Sequence, residues 1–238
     1  MRTTEKTAAR IIVISLLGLL LVPPLVAQEV RLRVLAATGT ADEVQAALQK
    51  GADFNDHDWN GMTALMAAAG NNHNPNVVPV LLRYGAVVDA RDRNGESALM
   101  FAAERNSDPA VITALLTGGA GLENRDKLGR TALIYAAKCN SSLGVASALL
   151  KAGSNVNARD SYGMTPLLYA AWVGQNPAIA SALLSAGADA KARGVAGRSL
   201  MEYAEDNPAF VKDAQVLHQL QEALNNTGAS AQRTQMKG

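Results

Sequence analysis

The chain of 238 residues carries 22 Lys+Arg against 21 Asp+Glu, and a formal charge of +1 leaves no electrostatic footprint for nucleic acid or an anionic membrane. Its single cysteine, Cys139, excludes an internal disulfide and a cysteine-based zinc site. Aromatic residues at 4% are too few for an ordinary β-sandwich or barrel core, whereas the abundance of alanine suits helices packed at close range.

Residues 1–10 are polar and include Arg2, Lys6 and Arg10. The apolar run IIVISLLGLLLV follows, then Pro23-Pro24, then Leu25-Val26-Ala27. This is the order of a secretory signal peptide over residues 1–27, with cleavage expected after Ala27. The run is shorter than the roughly 20 residues that span a bilayer. An uncleaved N-terminal anchor is the alternative, and membrane attachment is expected only through it. Export implies an oxidising compartment. There Cys139 has three readings: a buried inert thiol, a thiol that bonds a partner, or a redox site.

From residue 28 the sequence repeats. Glycines fall at Gly61, Gly95, Gly129, Gly163 and Gly197, a constant spacing of 34. A second column, Gly51, Gly85, Gly119, Gly153 and Gly187, keeps the same spacing. After the first column come GMTALMAAA, GESALMFAA, GRTALIYAA, GMTPLLYAA and GRSLMEYAE. Thr63, Ser97, Thr131, Thr165 and Ser199 stand where a first helix starts, with hydroxyls able to cap free N–H groups. Leu65, Leu99, Leu133 and Leu167 are its core positions, and Ala68-Ala69, Ala102-Ala103, Ala136-Ala137 and Ala170-Ala171 allow close approach. Asn74-Pro75, Asp108-Pro109 and Asn176-Pro177, with Ser142-Leu143 in the remaining unit, predict the start of a second helix. That helix carries Val78, Leu81 and Leu82 and their later equivalents on one face and ends at the second glycine column. Polar stretches such as GADFNDHDWNG and GAVVDARDRNG follow and predict protruding hairpins. Helices this short are unstable alone, so the fold is an all-α solenoid of stacked helix-turn-helix units.

These columns resemble the ankyrin repeat family, whose pattern D-x-x-G-x-T-P-L-H-x-A-A is nearly complete at Asp160, Gly163, Thr165, Pro166, Leu167, Ala170 and Ala171, followed by Leu183, Leu184, Gly187, Ala188 and Asp189. The family's proline is Ala64, Ala98 and Ala132 in three units, and its histidine is Met66, Met100, Ile134 and Leu168. Apolar packing is therefore expected where the family has a histidine hydrogen-bond network. The domain is read as 28–224, with an N-terminal cap at 28–57, full units at 58–91, 92–125, 126–159 and 160–193, and a C-terminal cap at 194–224. Residues 225–238 read as a disordered tail. The TALM-like units are similar to bacterial members, which with the signal implies a periplasmic or secreted protein.

Little else in the sequence points to chemistry. Asp56-His57-Asp58-Trp59-Asn60-Gly61 opens like a calcium loop, but Ala67 occupies the position of the closing glutamate. Gly118-Gly119-Ala120-Gly121 follows a helix and reads as a turn. No phosphate loop, nucleophile elbow or zinc-protease motif occurs, so the chain reads as non-catalytic and without cofactor. Asn140-Ser141-Ser142 matches a glycosylation pattern by chance on the bacterial reading.

The resemblance implies a protein partner gripped in a concave groove by hairpin tips and the exposed ends of first helices. Carried over, these positions are Trp59, Asn60 and Met62, then Arg93, Asn94, Glu96, Glu104 and Arg105. The next units add Lys127, Leu128, Arg130 and Lys138, then Ser161, Tyr162, Met164, Trp172 and Val173, with Arg198 in the last. Trp59, Tyr162 and Trp172 stand out, because aromatic residues are common interface anchors. Arg91, Arg125, Arg159 and Arg193 form a further column at spacing 34. It reads either as a face balanced by the adjacent Asp92, Asp126 and Asp160 or as a site for an acidic partner segment. The expected role is to bind, protect or inhibit another exported or envelope protein. The alternative is a metal- or thiol-responsive periplasmic protein using the Asp56–Asn60 loop or Cys139.

Overall fold

The computed structural model describes residues 32–235, with side chains through Asn225, and the expected signal peptide at 1–27 lies outside the described residues. The first pair of helices is α1 (32–38) and α2 (Ala41–Gln49). Four full units follow: α3 (Ala64–Asn71) with α4 (Val77–Arg83), α5 (Ala98–Arg105) with α6 (Pro109–Thr117), α7 (Ala132–Cys139) with α8 (Leu143–Lys151), and α9 (Pro166–Val173) with α10 (Pro177–Ser185). The chain closes with α11 (Leu200–Glu205), α12 (Pro208–Val211) and α13 (Ala214–Gln235), which runs on past Leu224, the expected end of the domain. Among the described residues, no helix is long and apolar enough to cross a membrane.

Each first helix packs on its counterparts in neighbouring units, α3 on α5, α5 on α7, α7 on α9 and α9 on α11. The alanine pairs permit this, since Ala68-Ala69, Ala102-Ala103, Ala136-Ala137 and Ala170-Ala171 are all buried. Met66, Met100, Ile134 and Leu168 are buried too, so apolar packing does occupy the place of the family's histidine. Leu81, Ile112, Leu115, Leu149 and Leu183 extend one continuous core through the second helices. Phe210, Val216 and Leu220 close its C-terminal end.

Helix starts follow the sequence reading unevenly. Thr63, Thr165 and Ser199 accept from the N–H of Met66, Leu168 and Glu202 at 3.3–3.4 Å. The hydroxyls of Ser97 and Thr131 sit in equivalent places but are buried without a hydrogen-bond partner. Asp108 and Asn176 cap α6 and α10, with Pro109 and Pro177 as their first residues. The unit containing Asn74-Pro75 differs. There Asn74 accepts from the Asn76 N–H at 3.0 Å in a turn, and α4 begins only at Val77.

The expected hairpins are present as tight turns, and no paired strands form among the described residues beyond one isolated antiparallel bridge, His57–Thr63. Asp92 shows why. Its Oδ1 accepts from the N–H groups of Asn94 and Glu96, both at 2.8 Å, and so organises the turn from within. Asp58, Asp126 and Asp160 repeat this arrangement. Gly61 completes the turn at φ 83°, where a Cβ would come 3.0 Å from Asp92 Cα of the next unit.

Candidate functional site

The turns are joined edge to edge. The N–H of Arg93 donates to the Asn60 carbonyl at 2.8 Å, that of Lys127 to Asn94 at 2.9 Å, and that of Ser161 to Leu128 at 2.8 Å. These bonds make a continuous row of tips. The C-terminal ends of the first helices carry Glu104, Arg105, Lys138, Trp172 and Val173.

Most of the expected contact residues lie open on this row. Trp59 is 77% exposed, Tyr162 58% and Trp172 42%. Arg93, Asn94, Arg105, Lys127, Leu128, Ser161 and Val173 are exposed as well, and Asn60, Met62, Glu104, Lys138 and Arg198 are half-buried. The Arg93 guanidinium lies 5.7 Å from the centroid of the Trp59 ring, so two adjacent tips support each other. Trp172 packs beside Tyr169 and Tyr203, with ring centroids 6.3 and 5.8 Å away, which holds its position while leaving much of the ring open. Lys138 sits over Tyr169 and Arg198 over Tyr203, bringing cations to the same cluster.

Met164 is a correction: it is completely buried and offers a partner nothing. The next loop has Gly194 where other units have the turn aspartate, and the thioether fills that space. A Cβ on Gly194 would lie 2.5 Å from Met164 Sδ. Glu96 and Arg130 are also drawn inward. Arg130 donates through Nε to Asp126 at 2.7 Å, and its guanidinium covers the Tyr135 ring at 4.6 Å. The Tyr135 hydroxyl bonds to Glu96 and, at 2.9 Å, to Asp126. Burial, and next the bond to Glu96, push the Tyr135 phenol well above its usual range. For Asp126 burial acts upward but is outweighed by the Arg130 N–H, the Arg130 side chain and the Tyr135 hydroxyl, which together hold the acid below its usual 3.8. These residues hold neighbouring units together.

The arginine column makes no ion pair with its aspartate neighbours among the described residues. Asp92, Asp126 and Asp160 are buried and turned into their own loops, whereas Arg91, Arg125, Arg159 and Arg193 are exposed. Arg91 Nη1 donates to the carbonyls of Gly95 at 2.8 Å and Arg125 at 2.9 Å. Arg125 Nη1 does the same with Gly129 and Arg159, both at 2.7 Å. None of the four takes part in an ion pair among the described residues.

Asp56 pairs with Arg33, Asp58 is spent on loop amides, and no group of three or more His, Cys, Asp or Glu among the described residues is placed to hold a metal ion. Cys139 is half-buried at the end of α7. Burial pushes its thiol up, against the lowering effect of Lys138, which disfavours the reactive thiolate. Asn140, in the glycosylation pattern, is buried.

Sequence reasoning missed a second column of contacts. Asn72, Asn106 and Asn140 recur at spacing 34 and are buried. Asn106 Nδ2 donates to the carbonyls of Ala69 at 2.9 Å and Asn72 at 3.0 Å in the preceding unit, while its Oδ1 accepts from the Asp108 N–H. Asn207 does the same in the last unit, on Ala171 and Gly174. The signal was the spacing itself, interrupted by Gly174.

Stacked helix-turn-helix units with buried alanine pairs and aspartate-ordered tips place the chain in one family. Residues 32–119 and 99–193 match the family described as ankyrin repeats (3 copies), and the protein belongs to the ankyrin repeat family. Comparison with curated proteins returns no match. Ankyrin repeats generally mediate protein–protein interaction, and proteins built from them are typically non-catalytic scaffolds.

Proposed function

We propose that the protein is an exported, non-catalytic binding protein that holds, protects or inhibits another exported or envelope protein along the row of tips and first-helix ends. The observation that carries this reading is the exposure of Trp59, Tyr162 and Trp172 on that row in a chain with few aromatic residues. Such residues act as anchors when they enter a partner's pockets. Backbone bonds between tips fix the row before binding, which reduces the ordering cost of association. The signal-like N-terminus supports export, and the family supports binding over turnover.

The test is affinity capture from envelope and secreted fractions, using the mature chain and a Trp172→Ala/Arg105→Glu variant matched for helicity and melting. A protein retained by the first bait and lost by the second supports the reading. Equal capture by both places binding elsewhere on the molecule, and no capture by either contradicts a resident envelope partner.

A further inference from the structure

We propose that Arg91, Arg125, Arg159 and Arg193 form a preset carboxylate-reading row for an extended acidic protein segment with an acidic residue at every third position. The inference rests on the protein-binding reading above and specifies the partner's chemistry.

Each guanidinium is anchored through one nitrogen. Arg91, Arg125 and Arg159 each use one nitrogen, Nη1, for two carbonyls, one in their own turn and one in the next unit. Arg193 uses Nη1 for the Gly197 carbonyl. No other hydrogen bond from these four side chains occurs among the described residues. Arginine has five N–H donors in a rigid fork, so the Nε and Nη2 edge of each remains to engage a carboxylate through two parallel bonds. Anchoring Nη1 fixes that edge in advance and removes much of the rotamer cost a free arginine incurs.

The aspartates that follow these arginines are buried and committed to turn amides, as described above. On the other limb of the loops, Asp89 accepts from the Gly121 N–H at 3.0 Å and Glu123 from the Asn155 N–H at 2.9 Å. These acids stay charged but accept from backbone amides, and none pairs with the four arginines among the described residues, while Arg93 and Lys127 add exposed cations to the tips. The Nε and Nη2 edges of the four arginines thus meet no carboxylate of the described residues, and an acidic segment complements them.

One arginine recurs per unit, and packed helices stand about 8–10 Å apart. A polyproline II segment advances about 3.1 Å per residue with three residues per turn, so every third side chain faces the same way. About three residues of extended partner therefore cover one unit, which sets the predicted acidic period. Neighbouring anchors such as Tyr162 and Trp172 would receive apolar residues of the same partner.

The test is fluorescence-anisotropy titration of the mature chain with three labelled peptides of equal composition and charge, carrying four glutamates at every second, every third or every fourth position. The every-third peptide is expected to bind about tenfold more tightly than the others, from four modest ion pairs acting together. An Arg125→Gln/Arg159→Gln variant of unchanged melting temperature is expected to lose that preference. Equal binding of all three peptides, binding that follows total charge alone, or equal binding of polyphosphate would overturn the proposal. Undiminished preference in the double variant would also overturn it. If the double variant still captures the same envelope protein while the Trp172→Ala/Arg105→Glu bait does not, the arginine row is refuted and the binding reading stands.

Discussion

Asn140 reaches back one full unit, and its Nδ2 donates to the Asn106 backbone carbonyl at 2.7 Å. The same nitrogen donates to the Ala103 carbonyl at 2.9 Å, while Oδ1 accepts from the Ser142 N–H at 2.8 Å. One buried amide thus satisfies the end of one helix, the start of another and the turn between units. This column supplies polar stitching in a family member that lacks the histidine of the usual motif.

Removal of one stitch tests its weight. Asn106→Ala leaves the buried carbonyls of Ala69 and Asn72 without their donor, and is expected to lower unfolding free energy by about 2–4 kcal/mol. Chemical denaturation measures this directly. Completing the column at Gly174 is expected to fail, because a Cβ there would lie 2.3 Å from the Ala170 carbonyl oxygen. Gly174→Asn should destabilise the protein in the same assay.

Asp126 predicts an acid limb. Its folded-state pKa lies below 3.8, so its stabilising contribution is complete above the unfolded value and is lost as pH falls through the folded one. Stability should therefore drop on acidification below about pH 4. Tyr135→Phe removes one donor to this carboxylate, and the acid midpoint should move to higher pH, as followed by circular dichroism.

The burial of Met164 separates structure from recognition. Met164→Gln buries an amide where the thioether is completely covered and is expected to cost about 2–3 kcal/mol of stability while leaving affinity for a captured partner unchanged once folded. Trp172→Ala is expected to reverse the pattern, losing about 1 kcal/mol of ring packing and most of the binding. Melting and binding measured on both variants distinguish these outcomes.

Cys139 should alkylate slowly. Burial pushes its thiol up, so the reactive thiolate is scarce at neutral pH. Its rate with iodoacetamide is expected to fall below that of a free cysteine peptide and to rise on unfolding.

The repeat was legible because each fold-determining residue recurs at a fixed spacing: Thr165 starts a helix, Ala170-Ala171 pack it and Gly187 ends its unit. Positions that depend on what lies one unit away were harder to read. Met164 shares its column with Met62, Glu96 and Arg130, and only the absence of a side chain at Gly194 decides that it is covered. The direction of Asp92 was hidden for a similar reason. Sequence adjacency to Arg91 suggested charge balance, but it does not reveal that two local amides orient the carboxylate into its own loop. Trp59, Tyr162 and Trp172 could be singled out early because neither helix packing nor turn formation requires aromatic residues at those points.

Site-specific photocrosslinking tests the central claim that partners bind the row of tips. A photoreactive amino acid would replace Trp59, Leu128 or Tyr162 on the tips, and Leu143 or Val211 at exposed second-helix positions. The account predicts partner adducts from the three tip positions and none from Leu143 or Val211. Adducts from the second-helix positions with none from the tips would contradict it.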